Sequence, residues 1–225
     1  MVVFTLSSLP FRVACMVYDA LTAGDLASFL QAFIMLFAIF DPIGNLPIFF
    51  SLTSELPEEE RRKVAARSSL VALLILLVFA YGGIYILSLL QITLNDFKIV
   101  SGIILLIFAV EYVLGRGEKR YKTAGKPEEI AVFPLATPLL AGPGSISVVM
   151  LTVNPPFGPL TTLVIIVLNV LIAWFVLSLG SKLRGLLGYQ GATIISRIMG
   201  LIIGAIAVAF IRDGIVGVLE SLEEA

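Results

Sequence analysis

Residues 40–47, Phe40-Asp41-Pro42-Ile43-Gly44-Asn45-Leu46-Pro47, sit inside an apolar stretch that runs from about Leu26 to Phe50. A stretch of that length and character predicts a membrane-spanning helix, which needs about 20 apolar residues. A carboxylate at such depth is costly, and prolines and a glycine there free backbone groups that must be satisfied elsewhere. A second stretch, Leu140-Ala141-Gly142-Pro143-Gly144-Ser145, is interrupted in the same way. Two interrupted spans at corresponding points of two halves are the best sequence-level pointer to a substrate site in a membrane transporter.

Of the 225 residues, 59% are hydrophobic and 14% are charged. Soluble domains average roughly 25% charged, so this composition calls for lipid as solvent. The net charge of −1 argues against a nucleic-acid partner. Cys15 is the sole cysteine, which rules out an internal disulfide, and the chain has no histidine. The commonest metal ligand and the easiest near-neutral proton relay are therefore missing. No cysteine cluster, paired intramembrane carboxylates or phosphate-binding loop is found, so neither an enzyme nor a cofactor or metal is expected.

Six apolar stretches are predicted as spans: 26–50, 64–90, 97–114, 130–152, 160–183 and 192–219. The joints between them are Ser51–Lys63, Gln91–Asp96, Gly115–Glu129, Val153–Pro159 and Arg184–Gly191. The joints after spans one, three and five, with their flanks, hold 12 of the 15 Lys and Arg residues; Arg12, Lys98 and Arg212 lie elsewhere. By the positive-inside rule these three joints are cytoplasmic, and both termini lie outside the cell membrane. At the entry to span two, Pro57 suits a first helical position and Glu58–Glu60 suit the positive end of the helix dipole. Glu58 with Arg62, and Glu59 with Lys63, are spaced to pair on one helix face. Residues 1–25 carry Pro10, Arg12, Asp19 and Asp25 among apolar residues. They are expected to form an interfacial segment on the outer side, with a cleaved signal as the alternative.

The two halves are related by an offset of about 100 residues: Gly44 falls on Gly144, Asn45 on Ser145, Leu46 on Ile146 and Ile48 on Val148. With an offset one shorter, Lys98-Ile99-Val100 matches Arg197-Ile198-Met199. Three spans per half oblige the second half to enter from the opposite side. The expected fold is thus an all-α membrane protein of six transmembrane helices, built as two inverted-topology three-helix repeats with broken first and fourth helices. Residues 26–115 form the first repeat, 116–129 a cytoplasmic linker, 130–219 the second repeat and 220–225 a tail. Each break lies 11 to 15 residues into its span, roughly 17–22 Å along a helix and so near the middle of a core about 30 Å thick.

Within the breaks, Gly44, Gly142 and Gly144 allow close backbone approach, while Pro42, Pro47 and Pro143 donate no hydrogen bond. The half-helix after each break offers free N–H groups and a positive dipole end to a carboxylate. Carbonyls before the break, and Asp41, can accept from an ammonium group or a cation. Ala141 stands where a second acid would fall. One acid with two helix N-termini suits a zwitterion, and small residues leave little room for a large side chain. The candidate substrate-binding set is Asp41, Pro42, Gly44, Asn45, Thr137, Ala141, Gly142, Gly144 and Ser145. The plainer alternative is a buried Asp41 that braces a neighbouring helix through Asn169 or Tyr81. Thr137, Ser145 and Ser147 can equally bond their own backbone. Gly200 and Gly204 read as a helix-packing pair. Glu111, Arg212 and Asp213 lie near span ends and read as interfacial.

Asp41-Pro42-Ile43-Gly44-Asn45-Leu46-Pro47-Ile48 and Phe133-Pro134-Leu135-Ala136-Thr137-Pro138-Leu139-Leu140-Ala141-Gly142-Pro143-Gly144 resemble the MarC family, which includes the SnatA neutral amino acid transporters. The resemblance covers about residues 26–219. It implies an integral membrane protein that moves small neutral amino acids such as glycine or alanine. Two readings of different class follow. One is a secondary carrier with a midplane site, coupled to H⁺ or Na⁺. The other is a passive channel or exporter of small solutes, or a non-transporting membrane scaffold. Membrane lipids are partners in every case, and a homo-oligomer is compatible with all of them.

Overall fold

The computed structural model describes residues 23–115 and 126–223. The predicted outer segment falls almost wholly outside them, as do Arg116, Lys119, Arg120 and Lys122 of the linker. Among the described residues the chain is helical and contains no strand. Helix α1 covers Ala23–Phe40 and α2 Leu46–Thr53. Helix α3 covers Glu58–Leu89 and α4 Leu94–Val113. The short α5, Pro127–Ile130, runs into a widely wound stretch, Ala131–Leu140. Then come α6, Pro143–Thr152, α7, Pro159–Ser178, and α8, Gly180–Glu223.

Among the described residues, three helical segments are long and apolar enough to cross a membrane: Glu58–Leu89, Pro159–Ser178 and Ile194–Glu223. The pair Pro127–Leu140 and Pro143–Thr152, bent by 58°, adds a fourth when counted as one span. Helix α4 is 20 residues long but carries Asp96, Lys98 and Glu111. The apolar part of α1, Leu26–Phe40, is short and continues into α2 only across the first break.

Helix α3 shows how this fold differs from a soluble one. Its buried face is mostly small, Ala65, Ser68, Ser69, Ala72, Ala80 and Gly83, with Val64, Leu76 and Leu87 among them, while Leu70, Leu74, Val78, Tyr85 and Leu89 are exposed. Small residues inside and large apolar residues outside suit lipid, where close helix contact rather than hydrophobic exclusion holds helices together. The α4–α8 interface follows the same logic. Gly102 lies against Ala207 and Ile211, Gly200 against Ala109 and Tyr112, and Gly214 against Ile99. These pairs run in opposite directions along the two chains, so α4 and α8 are antiparallel. A Cβ on Gly200 would lie 2.8 Å from that of Tyr112, and one on Gly204 would lie 3.4 Å from that of Ala109. The GxxxG pair is a packing device, as expected.

Several sequence-based expectations need correction. The predicted joint Arg184–Gly191 is helical backbone within α8; the chain turns earlier, at Leu179. That segment contains glycines but no proline, and glycine costs a helix only about 1 kcal/mol without removing a donor. Helix α8 also continues past Leu219 to Glu223, so the tail begins later than expected. Arg62 pairs with Glu58 at 2.8 Å, but Lys63 pairs with Glu60 at 2.7 Å and not with Glu59. Spacings of three and four both place side chains together on a helix, and here the shorter one prevails.

Arg61 caps the end of α2, donating to the carbonyls of Thr53 and Leu56 at 2.9 Å, as suits a cation at a helix C-terminus. Arg67 at the start of α3 pairs with Glu128 of α5 at 2.8 Å. The Arg197 guanidinium lies beside Gly115, just past the end of α4. The start of α3 thus neighbours α5, and the Arg197 turn of α8 neighbours the end of α4.

Candidate functional site

The first break forms because Asp41 takes a left-handed backbone conformation, φ +41, which Asp tolerates better than most residues. Its side chain folds over the next turn, and its Oδ1 accepts the Gly44 N–H at 2.9 Å. A Cβ on Gly44 would overlap that carboxyl group, so glycine is required there by close approach. Asp41 is 1% exposed, and its Oδ2 has no hydrogen-bond partner among the described residues. A buried carboxylate oxygen left this way is costly unless something cationic or hydrogen-donating meets it. The proposed braces do not do so. Tyr81 donates instead to the Pro159 carbonyl at 2.9 Å, and the Asn169 amide donates to the Ile165 carbonyl at 2.8 Å.

The second break has a longer approach. Phe133 and Thr137 have extended backbones, and each precedes a cis proline, Pro134 and Pro138. A residue before proline is pushed out of the helical region, so the chain alternates between wound and extended. Gly142 is extended, and a Cβ there would run into the Pro138 carbonyl. Helix α6 then starts at Pro143 with no side-chain cap. Two of its first-turn N–H groups belong to Gly144 and Ser145.

Both breaks are tied in the same two ways. The Asn45 amide donates back to the Phe40 carbonyl at 3.0 Å, and the Ser145 hydroxyl donates back to the Leu140 carbonyl at 2.8 Å. Each break is also held by a serine from a helix of the other half. Ser196 of α8 donates to the Gly44 carbonyl at 3.0 Å, and Ser101 of α4 donates to the Pro143 carbonyl at 3.1 Å. Ser101 also shares a 2.8 Å hydrogen bond with Ser147. The carbonyls freed at the breaks, those of Phe40, Gly44 and Leu140, are in this way satisfied by protein, as a low-dielectric interior demands.

The two breaks meet around a cavity of about 20 Å³, room for about one water molecule. Of the residues expected at the site, Asp41, Asn45, Gly142, Gly144 and Ser145 line it together. Pro42, Gly44 and Ala141 are buried beside it without lining it, and Thr137 is exposed, away from it. Thr137 therefore shapes the approach as the residue before Pro138 and does not reach the cavity. Sequence reading did not single out Tyr112, Leu105, Phe108 or Ile203, which complete the wall. Tyr112 donates to Asn45 Oδ1. An aromatic residue late in an apolar helix gives no sign of which way it points. Pro138 also lines the cavity; Pro134 and Pro138, each forcing its predecessor out of helix, were the available signal for this second break.

The family model for MarC family integral membrane proteins matches residues 26–219. A UPF0056 membrane protein of Methanocaldococcus jannaschii is 40% identical over 203 residues, 87% of this chain and 99% of the other. One from Archaeoglobus fulgidus is 36% identical over 211 residues, 89% and 98% of the two chains. The UPF0056 inner membrane protein YhgN of Escherichia coli is 36% identical over 190 residues, 83% and 95% of the two chains. No solved structure matches. With both motif segments inside the matched region, the chain belongs to the MarC family of integral membrane proteins.

Proposed function

We propose that this protein is a secondary transporter of small neutral amino acids, glycine and alanine among them, working by alternating access around the point where the two breaks meet. The observation that carries this reading is the pairing of opposite chemistries at one cavity. Asp41 offers a buried, incompletely bonded carboxylate on one side, and the uncapped start of α6 offers Gly144 and Ser145 N–H groups on the other. An ammonium group suits the first and a carboxylate suits the second. The small cavity fits a closed state that must open to admit even glycine.

The accompanying architecture is six spans in two inverted halves: α1 with α2, α3 and α4, then α5 with α6, α7 and α8. The antiparallel α4–α8 pair and the reciprocal serine ties support it. The pairing of Arg67 with Glu128 of α5, and the place of Arg197 beside Gly115 at the end of α4, support one shared face for the basic joints, cytoplasmic by their charge, with both termini outside. The inner membrane named for the Escherichia coli relative supports the cytoplasmic membrane as the location. Single cysteines placed at Lys119 and Glu223 in a Cys15-free background test the orientation. Labelling from outside is expected at Glu223 and not at Lys119.

The decisive experiment is reconstitution into liposomes with a panel of amino acids under Na⁺ and pH gradients. Saturable uptake with counterflow is expected. Flux linear in concentration would indicate a channel, and absence of flux a scaffold.

A further inference from the structure

We infer that Leu105 of α4, with Ile39 of α1, is the size filter of this site, the aliphatic wall that sets how large a substrate side chain can enter. The inference rests on the transport reading above. Polar groups line one part of the cavity, and Leu105, Ile39, Phe108 and Ile203 are among the apolar residues that line the rest. The tightest point is Gly144. A Cβ there would stand 2.6 Å from Leu105 Cδ1 and 2.9 Å from Ile39 Cγ2. Two different helices therefore press aliphatic tips onto Gly144, in the first turn of the uncapped helix α6 that the proposed function assigns to the substrate's carboxylate.

A bound amino acid has its carboxylate and side chain on the same carbon. With the carboxylate at the Gly144 and Ser145 N–H groups and the ammonium group turned toward Asp41, the side chain has to fall against this aliphatic wall. Glycine asks nothing of the wall and alanine asks for one methyl. Branched side chains would need the volume that Leu105 fills. Both wall residues are nearly fully buried, Leu105 at 7% and Ile39 at 5% exposed, so neither swings aside into lipid without moving its helix. Packed interiors resist such overfilling.

The test is counterflow with the full-length protein in liposomes, using labelled glycine, alanine and valine. Leu105→Ala should raise the valine-to-glycine rate ratio by about tenfold or more, the scale at which a hydrophobic pocket discriminates one or two methylenes. Leu105→Val and Ile39→Val, which keep a branched side chain and so the fold, should shift the ratio in the same direction by less. The readout is a gain in one substrate relative to another, which misfolding does not mimic. Wild-type glycine transport with unchanged ratios in all three variants would overturn the size filter while leaving the transport reading intact. A wild-type protein that carries no amino acid would overturn both.

Discussion

The two breaks share one plan and differ in chemistry. Each carries a side chain that bonds back five residues, Asn45 to Phe40 and Ser145 to Leu140. Each is held by a serine of the other half, Ser196 or Ser101. Yet the first break spends a local donor on its own acid, because Asp41 accepts the Gly44 N–H. The second has Ala141 at the matching position; neither following helix has a side-chain cap, but in α2 the Leu46 N–H bonds the Ile43 carbonyl and Pro47 has none to give, whereas α6 presents Gly144 and Ser145. One break is left with a spare acceptor and the other with spare donors. The two breaks thereby make a polar pair, which under the proposed function is what a zwitterion needs and what two identical breaks would not provide.

If that division of roles is right, the largest effects come from closing either break. Gly44→Val drives a branched side chain into the Asp41 carboxyl group, and Gly144→Val drives one into Leu105 and Ile39. Counterflow should fall to the level of empty liposomes for both, with the protein still inserted in the membrane at normal amounts. Transport at wild-type rates by either variant would detach that break from the mechanism.

Next in size is the acid itself. Asp41→Asn keeps the shape and removes the charge. Glycine binding should weaken by about 2 kcal/mol, roughly thirtyfold, as for a charge-assisted hydrogen bond lost in a buried site. Retained binding and exchange with loss of pH-driven accumulation would instead assign Asp41 to a coupled proton. Ala141→Asp makes the two breaks alike and should weaken binding too, because a second carboxylate would repel the substrate's own.

Much of this was legible in the sequence, for identifiable reasons. An acid, prolines and glycines in apolar runs are costly in lipid, so they stood out at Asp41–Pro47 and Gly142–Gly144. What was not legible depends on direction rather than composition. Nothing in an apolar α4 told that Tyr112 and Leu105 face the breaks while Ile103 and Ile107 face out. The continuity of α8 through Arg184–Gly191 was hidden because polar residues and glycines read as a loop, although no proline ends the helix there. The approach to the second break was readable but unread. Phe133 and Thr137 each precede a proline, and that alone disfavours the helix the hydropathy suggested. Thr137 was expected in the site because it is polar, and its exposure shows that polarity near a break does not ensure contact with it.

The serine ties between halves should contribute less. Ser101→Ala and Ser196→Ala each remove a hydroxyl that bonds a carbonyl at a break, at a cost of about 0.5–1.5 kcal/mol in thermal stability in detergent. The two sit at different breaks, so the double variant should show a nearly additive loss. A large loss for one and none for the other would mean that the breaks are not equivalently supported.

The smallest effect belongs to the tie between halves outside the apolar spans. Arg67 and Glu128 pair at 2.8 Å with both side chains more than half exposed, so water and salt weaken the attraction. The Glu128 carboxyl is held below its ordinary value of 4.5, first by its own backbone N–H at the start of α5 and then by the Arg67 guanidinium. A depressed carboxyl contributes stability that is fully present above its unfolded value and is lost as pH falls through the lowered folded value. A double-mutant cycle of Arg67→Ala and Glu128→Ala should therefore give a small favourable coupling near neutral pH at low salt. That coupling should fade in high salt and disappear in acid once Glu128 is protonated. A coupling that survived both would mean the pair is shielded from water in the membrane-embedded protein, and would make this tie, rather than the serines, the principal link between the halves.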